Sequence, residues 1–600
     1  MRRRKRTESA KRSERRKLAK RQRVAELTAT PSSGDHIASN DLSNVVEKSN
    51  SVLVDSSARP SVEPYTEEIA IVVLKREQAI HLEGNALFCV AFGVCAVLGA
   101  TLHARENEFY HPFISAPLAS HYVSIETGAG SGPGRHRLNG VANEKACRTV
   151  FEDKDLDDFV RIRSERADVG DCILVFRSSK DGAYVKTKDA YNEGNTSTSV
   201  GTLHARTISS LPRFLPYLSM TTSPASQDSI VKGLTFAFPM REKYAEFDYW
   251  PEWSAVCDTV EKAVLEKTDS HQGPRFAVTG PRGAGKSTFT RALTNYCLTH
   301  GCPRILYVDT DVGQSELSPP GLISAHLVSH PLIGSSIGYN QIPPVSAFFF
   351  GATSPSFDPQ AYLQGLERVI HDACAYARAT NCPIIMNTHG WTSGAGLELL
   401  QASARNIKAT HTFHLSAGAG DGNMMRTSNY IPVTSMSRAV GPPVTSSQAR
   451  ELNMTAYFVS ALSSRSEISM PFGKKGVSLY RINLNRVQIR VLGESLSADC
   501  VLMALNGSLV GLADAKDNWN CVGLGIVRAV CPEKREIFVS TPCVTTIQKA
   551  SGLVLSAGLE LPQSLIKATS RASVVPFLMR DTITTAGAIK ARPSLQRKVR

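Results

Sequence analysis

The feature that most restricts this chain is a glycine-rich octet set between a strand and a helix. Residues 275–279, Arg-Phe-Ala-Val-Thr, are short and apolar, as a buried strand requires. They run into Gly280-Pro281-Arg282-Gly283-Ala284-Gly285-Lys286-Ser287, which fits GxxxxGK[ST] at every position. Residues 286–299 then place Phe289, Leu293 and Cys297 four apart, one face of a helix. A strand, a glycine loop and a helix N-terminus in that order form a phosphate cradle. Glycines let backbone N–H groups close on phosphate oxygens, and the helix N-terminus adds positive partial charge. Gly280 to Thr288 are therefore the predicted nucleotide-binding segment. Lys286 reaches the β- and γ-phosphates of a nucleoside triphosphate, and the Ser287 hydroxyl is placed to hold Mg²⁺.

The surrounding pattern agrees. RILYVDTD (304–311), PIIMNT (383–388) and THTFHL (410–415) read as buried strands. Residues 359–379 read as a helix, with Tyr362, Leu366, Val369, Ile370 and Ala373 on one side. Alternation of strands with helices predicts an α/β P-loop NTPase core, a parallel sheet with flanking helices. On both sides the pattern turns to strands, giving β-rich N-terminal and C-terminal domains. The expected organisation is a basic disordered tail over 1–65, a β-rich domain over 66–255, a P-loop kinase domain over 270–465 and a β-rich domain over 470–600. The run Ala86–Leu102 is apolar enough to suggest a membrane span, but Gly93 and Gly99 divide it into strand-sized pieces. No membrane association is expected.

Charge is concentrated at one end. Residues 1–23 hold thirteen Lys and Arg against Glu8 and Glu14, which leaves only +3 of the chain's +14 for everything else. Such an arm attracts phosphate backbones without reading sequence and can serve as a nuclear or nucleolar address. It lacks the apolar stretch of a secretory signal, and its charges cluster too densely for a mitochondrial presequence. The thirteen cysteines include no CxxC pair and no zinc spacing, so they read as reduced thiols.

Past the second core strand, Asp309 and Asp311 stand two residues apart, the spacing that puts two carboxylates on one side of a strand. One suits the metal, and the other suits taking a proton from an attacking hydroxyl. The alternative is a pair of strand-end carboxylates that cap the next turn. No N-K-x-D guanine-reading motif follows the loop, which argues against a regulatory GTPase.

Longer segments resemble one family. DTDVGQSELSPPGLISAHLV (309–328), FFFGATSPSFDPQAY (348–362), PIIMNTHGWTSGAGLELL (383–400) and SSQARELNMTAYF (446–458) are similar, in order and spacing, to the polynucleotide 5′-hydroxyl kinases. The third contains that family's TxGW clasp as Thr388-His389-Gly390-Trp391. GLGIVRAV (523–530) and VSTPC (539–543) resemble the C-terminal domain of its nucleolar, ribosomal-RNA-processing branch. The resemblance implies an ATP- and Mg²⁺-dependent kinase of RNA 5′ ends in the nucleus and nucleolus, working beside a pre-rRNA spacer endonuclease. By the same resemblance, Lys286, Asp311 and Arg450 are catalytic, with Asp311 activating the 5′-hydroxyl and Arg450 closing over the phosphates. Ser287 and Asp309 hold the metal, and Gln314, Thr388 and Trp391 grip the RNA end. Arg438 is a candidate second lid arginine. Two other readings stay open, the related kinase of messenger-RNA 3′-end processing and tRNA splicing, and an ATP-binding scaffold without turnover.

Overall fold

A computed structural model gives the fold. It describes residues 60–66, 69–76, 78–104, 113–114, 123–127, 160–168, 170–178, 234–237, 250–265, 273–333, 342–416, 429–435, 445–460, 479–493, 496–542, 544–559, 561–562 and 565. Residues 1–59 of the expected tail, residues 128–150, the loop at 179–205 and Arg438 lie outside the described residues, while Ser61–Pro64 form a strand, which corrects the expectation that the disordered tail runs to 65.

The core begins with helix α1 (Trp253–Leu265) and strand β1 (Arg275–Thr279). It continues through α2 (Lys286–Thr299), β2 (Ile305–Asp309), β3 (Leu322–Val328), β4 (Pro344–Phe349), α3 (Pro359–Thr380), β5 (Ile384–Asn387), α4 (Ala395–Ile407), β6 (His411–Ser416), β7 (Tyr430–Thr434) and α5 (Ser446–Ser460). The seven strands form one sheet in the order β4-β3-β2-β5-β1-β6-β7. Pairings from β2 to β7 are parallel, while β2–β3 and β3–β4 are antiparallel. The predicted all-parallel sheet is thus corrected to a mixed one. Parallel neighbours need a crossover, usually a helix. No helix stands between Asp309 and Leu322, and the chain turns straight back.

Both faces of this sheet are covered. The predicted stripe of α3, Tyr362, Leu366, Val369, Ile370 and Ala373, packs with Leu306, Val308, Ile384 and Met386. On the opposite face Phe289, Leu293 and Cys297 of α2 join Phe276, Val278 and Phe413. Trp250 and Trp253 meet the Phe289 ring edge-on at 4.8 and 5.8 Å. Burying a ring such as Phe289 contributes about 2–3 kcal/mol, so this aromatic group fixes the P-loop helix on the sheet. Local signals set the ends of α3. Asp358 accepts from Ala361 N–H at 2.9 Å ahead of Pro359, and Asn381 closes the helix in the left-handed conformation.

Described strands between Ser61 and Ala237 form an antiparallel nine-stranded sheet. The apolar run Ala86–Leu102 falls across Ala79–Phe92, Val94–Val97 and Ala100–His103, with Gly93 and Gly99 at positive φ where the strands turn. No helix among the described residues is long and apolar enough to cross a membrane. This sheet meets α2 directly. Gly99 lies so close to the Ala292 carbonyl that a Cβ would stand 2.3 Å from its oxygen, and Asn295 Nδ2 donates to Leu98 O at 2.9 Å. After the core, six strands between Leu479 and Ser556 form a second sheet. It packs on the edge of the core through Leu322, Ala347, Phe349, Met454 and Phe458.

Candidate active site

In the sheet order, β5 lies between β2 and β1, so the C-terminal ends of these three strands adjoin. Ligands of open α/β sheets collect at such ends. Asp309 closes β2, Asn387 closes β5, and the glycine loop follows β1. Asn387 pairs in register with both Val278 and Asp309.

The loop has the backbone that its glycines allow. Gly280, Gly283 and Gly285 have φ of 146°, 81° and 88°. A Cβ on Gly280 would stand 2.4 Å from the Leu415 carbonyl oxygen. Lys286 opens α2 and is only 6% exposed, with Nζ donating to Pro281 O at 3.0 Å. Burial pulls its pKa down, and the Asp311 charge offsets part of that.

The two aspartates sit in different surroundings. Asp309 is fully buried. Its Oδ2 accepts from Glu316 N–H at 2.6 Å, and its Oδ1 accepts from Asp311 N–H at 3.1 Å and Asn387 Nδ2 at 3.2 Å. Burial nevertheless pushes its carboxyl up to about 8. Asp311 is half-buried, and its Oδ1 accepts from Gly313 N–H at 2.9 Å and Gln314 N–H at 3.2 Å. Both of these bonds fall on one oxygen, Oδ1. Asn387 Nδ2 also donates to Ser287 Oγ at 3.4 Å, and Asn387 Oδ1 is buried with no hydrogen-bond partner among the described residues. The Ser287 hydroxyl, the Asp309 carboxylate and this orphaned amide oxygen are all hard oxygen donors, the set that suits Mg²⁺. No three His, Cys, Asp or Glu of the described residues converge to hold a metal unaided. Phosphate oxygens complete such a shell in nucleotide sites.

Other predicted residues divide between the site and its frame. Gln314 is exposed beside Asp311. Trp391 is half-buried, seated where a Cβ on Gly396 would touch its ring. Thr388 is fully buried and donates to Val278 O at 2.7 Å. The expectation that its side chain grips RNA is corrected, because the hydroxyl ties the clasp to β1. Arg450 is half-buried on α5, where burial and the Arg282 charge lower its pKa and Asp311 offsets them. That places it in electrostatic reach of both the P-loop and Asp311. A capping box fixes the start of α5: Thr445 Oγ1 accepts from Gln448 N–H at 3.2 Å, and Gln448 Oε1 accepts from Thr445 N–H at 2.8 Å. Arg282 donates to Ser446 Oγ at 2.5 Å, and Asn453 Nδ2 to Ser315 O at 3.3 Å. These bonds hold α5 over the loop.

Three site residues escape the sequence reading. Glu316 is buried 3.4 Å from Arg291 Nε and hydrogen-bonded by Ser287; burial raises its pKa, and Arg291 opposes the rise. Asn387 hydrogen-bonds both Ser287 Oγ and Asp309 Oδ1 from the end of a strand. His389, the variable position of the clasp, is 2% exposed, and burial followed by the Lys286 charge pushes its pKa down to about 4. Their signal was an acid seven residues past Asp309, and polar residues ending an otherwise apolar strand.

Comparison with known proteins fits this geometry. Residues 280–460 match the family described as mRNA cleavage and polyadenylation factor CLP1 P-loop. Residues 476–562 match the NOL9-like C-terminal domain. The chain is 27% identical over 364 residues to polynucleotide 5′-hydroxyl-kinase NOL9 of Arabidopsis thaliana, covering 56% of this chain and 96% of that protein. It is 23% identical over 555 residues to the protein of the same name from Danio rerio, covering 84% and 73%. With the Homo sapiens NOL9 kinase it shares 23% over 382 residues, covering 51% and 52%. The solved wild-type Clp1p–Pcf11p complex aligns with a TM-score of 0.47 at 12% identity, covering 82% of this chain and 98% of that one.

Proposed function

We infer, from the likeness of this chain to the NOL9 polynucleotide 5′-hydroxyl-kinases, that it is a kinase of that kind and transfers the γ-phosphate of ATP to the 5′-hydroxyl of RNA. The observation that carries the reading is the meeting of Lys286, Ser287, Asp309, Asp311 and Arg450 around one strand-end crevice. In this reading the kinase domain starts with helix α1, ahead of the expected 270, and runs to about 465 between β-rich neighbours.

The glycine loop and Lys286 hold the triphosphate, and the N-terminus of α2 faces its charge. Ser287 and Asp309, with Asn387 beside them, would hold Mg²⁺, which would neutralise phosphate charge. Asp311 accepts the proton of the 5′-hydroxyl as that oxygen bonds to the γ-phosphorus. The bond from phosphorus to the β–γ bridging oxygen breaks, and ADP carries the electron pair away. Arg450 reaches the transferring group from α5 and offsets its charge. Gln314 borders the hydroxyl, and Trp391 offers an aromatic plane to the terminal base, a contact worth about 1–3 kcal/mol that does not depend on base identity. The likeness to NOL9 proteins and the basic tail support a place in pre-rRNA spacer processing in the nucleolus, with a spacer endonuclease as partner.

The test is direct. With Mg²⁺ and γ-labelled ATP, RNA bearing a 5′-hydroxyl takes label, and the same RNA already 5′-phosphorylated does not. Lys286→Ala removes the label, and Asp311→Asn slows transfer by about 10²–10⁴. Label on neither RNA refutes the kinase and leaves an ATP-binding scaffold; full activity of Asp311→Asn refutes its role as base.

A further inference from the structure

The clasp carries a buried group that the transfer step above leaves unused. His389 follows β5 by two residues, between Thr388, tied to β1, and Gly390. A Cβ on Gly390 would stand 2.8 Å from the Arg282 backbone, so the clasp lies directly against the P-loop. The imidazole is held edge-on to Tyr362, with centroids 5.7 Å apart, and Tyr362 is itself anchored by its hydroxyl on Thr310 O at 2.8 Å.

The hydrogen bonds of the ring define its tautomer. His389 Nδ1 accepts from Trp391 N–H at 3.2 Å. A ring nitrogen that accepts an N–H carries no proton, so the neutral ring bears its hydrogen on Nε2. Nε2 is buried and has no hydrogen-bond partner among the described residues. Buried polar groups nearly always find partners, and one without any beside a nucleotide loop is open to a ligand. The ring lies within electrostatic reach of Lys286. Lys286 also marks where the terminal phosphates of a bound triphosphate sit.

We propose that His389 Nε2–H donates a hydrogen bond to a γ-phosphate oxygen of the bound nucleotide. The clasp then reads the triphosphate with one side chain and the RNA end with the next aromatic one. His389 separates ATP from ADP, because ADP lacks the oxygen it contacts. The inference rests on the reading of this crevice as a triphosphate-using kinase site.

Two amides divide the imidazole's duties. His389→Asn keeps an acceptor near Nδ1 for Trp391 N–H and loses the far donor. His389→Gln places an amide donor near Nε2 and loses the near acceptor. Affinities of the full-length chain for ATP and for ADP are measured with Mg²⁺ by displacement of a fluorescent nucleotide, beside the 5′-labelling assay. Asn at 389 is expected to reduce the ATP-over-ADP preference about tenfold with the RNA KM unchanged, as for loss of one charge-assisted hydrogen bond. Gln is expected to keep the preference and raise the RNA KM. A wild-type preference in His389→Asn overturns the proposal, whatever the chain does to RNA. If Asn does not fold, Gln decides: loss of preference as complete as in His389→Ala also overturns it. A wild-type chain that prefers ATP through His389 yet labels no RNA sinks the kinase reading and leaves the phosphate contact standing.

Discussion

Thr388 and Trp391 lie in one short loop, and burial gives them opposite duties. Thr388→Val leaves the Val278 carbonyl without its donor. It is expected to cost about 1–3 kcal/mol of stability with the RNA KM unchanged, read by urea denaturation beside kinetics. Trp391→Ala is expected to raise the RNA KM about tenfold or more through lost stacking at nearly constant stability. Equal effects of the two on KM would show that both touch RNA. His326 gives a pH dependence. It is buried, Nδ1 donates to Ile342 O at 2.9 Å and Nε2 accepts from Ser324 Oγ at 3.0 Å, and burial pushes its pKa down to about 4. Because the folded pKa lies below the unfolded value near 6.5, its contribution is whole above that value and is lost as pH falls toward 4. Linkage sets the loss at roughly 2 kcal/mol by pH 5, and His326→Gln should shrink the acid-induced drop in the urea midpoint. At this scale spacing singled out Lys286, Ser287, Asp309 and Asp311, and the structure brings them together at adjoining strand ends. The sequence was silent on Asn387 and His389, whose meaning lies in what they face across neighbouring strands.

Elements were read more completely than side chains, because periodicity records which face is apolar. The stripe of α3 and that of α2 both pack as their four-residue spacing predicts. Strand direction leaves no such mark, so the antiparallel pair β3 and β4 was not foreseen. Helix α1 was missed because it crosses the point where a strand-rich pattern gives way to an alternating one. The glycine loop is the element whose geometry tolerates least. Gly280 combines a φ of 146° with a carbonyl where its Cβ would stand. Gly280→Ala is expected to weaken nucleotide binding more than tenfold, since the loop must shift away from the phosphates it cradles; isothermal titration with ATP measures it. Unchanged affinity would show that the loop adapts without losing its cradle.

Across the whole molecule, helix α5 joins the chemistry to the C-terminal sheet. Asn453 holds its inner side to Ser315 O, Tyr457 accepts from Leu524 N–H at 2.9 Å, and Met454 and Phe458 sit in the apolar contact between sheets. Gly351 touches Ser556, whose hydroxyl donates to Gly351 O at 2.8 Å. A chain ended at 465 therefore exposes Leu322, Phe349 and Phe458, and it is expected to aggregate on size exclusion, where a soluble active monomer would contradict this packing. Deleting residues 1–23 should spare turnover on short RNA while flattening the salt dependence of RNA retention, measured by filter binding from 50 to 200 mM salt. Short apolar bursts and alternation pointed to strands at either end; the seams rest on glycines such as Gly99 and Gly351, which show their purpose only in contact. The bare flank of Gly390 against Arg282 has a thermodynamic outcome. In the kinase reading proposed above, two substrates share one wall, so a nucleotide that steadies residues 280–285 also steadies the perch of the RNA end. Whatever factor ATP adds to RNA affinity, RNA must return to ATP.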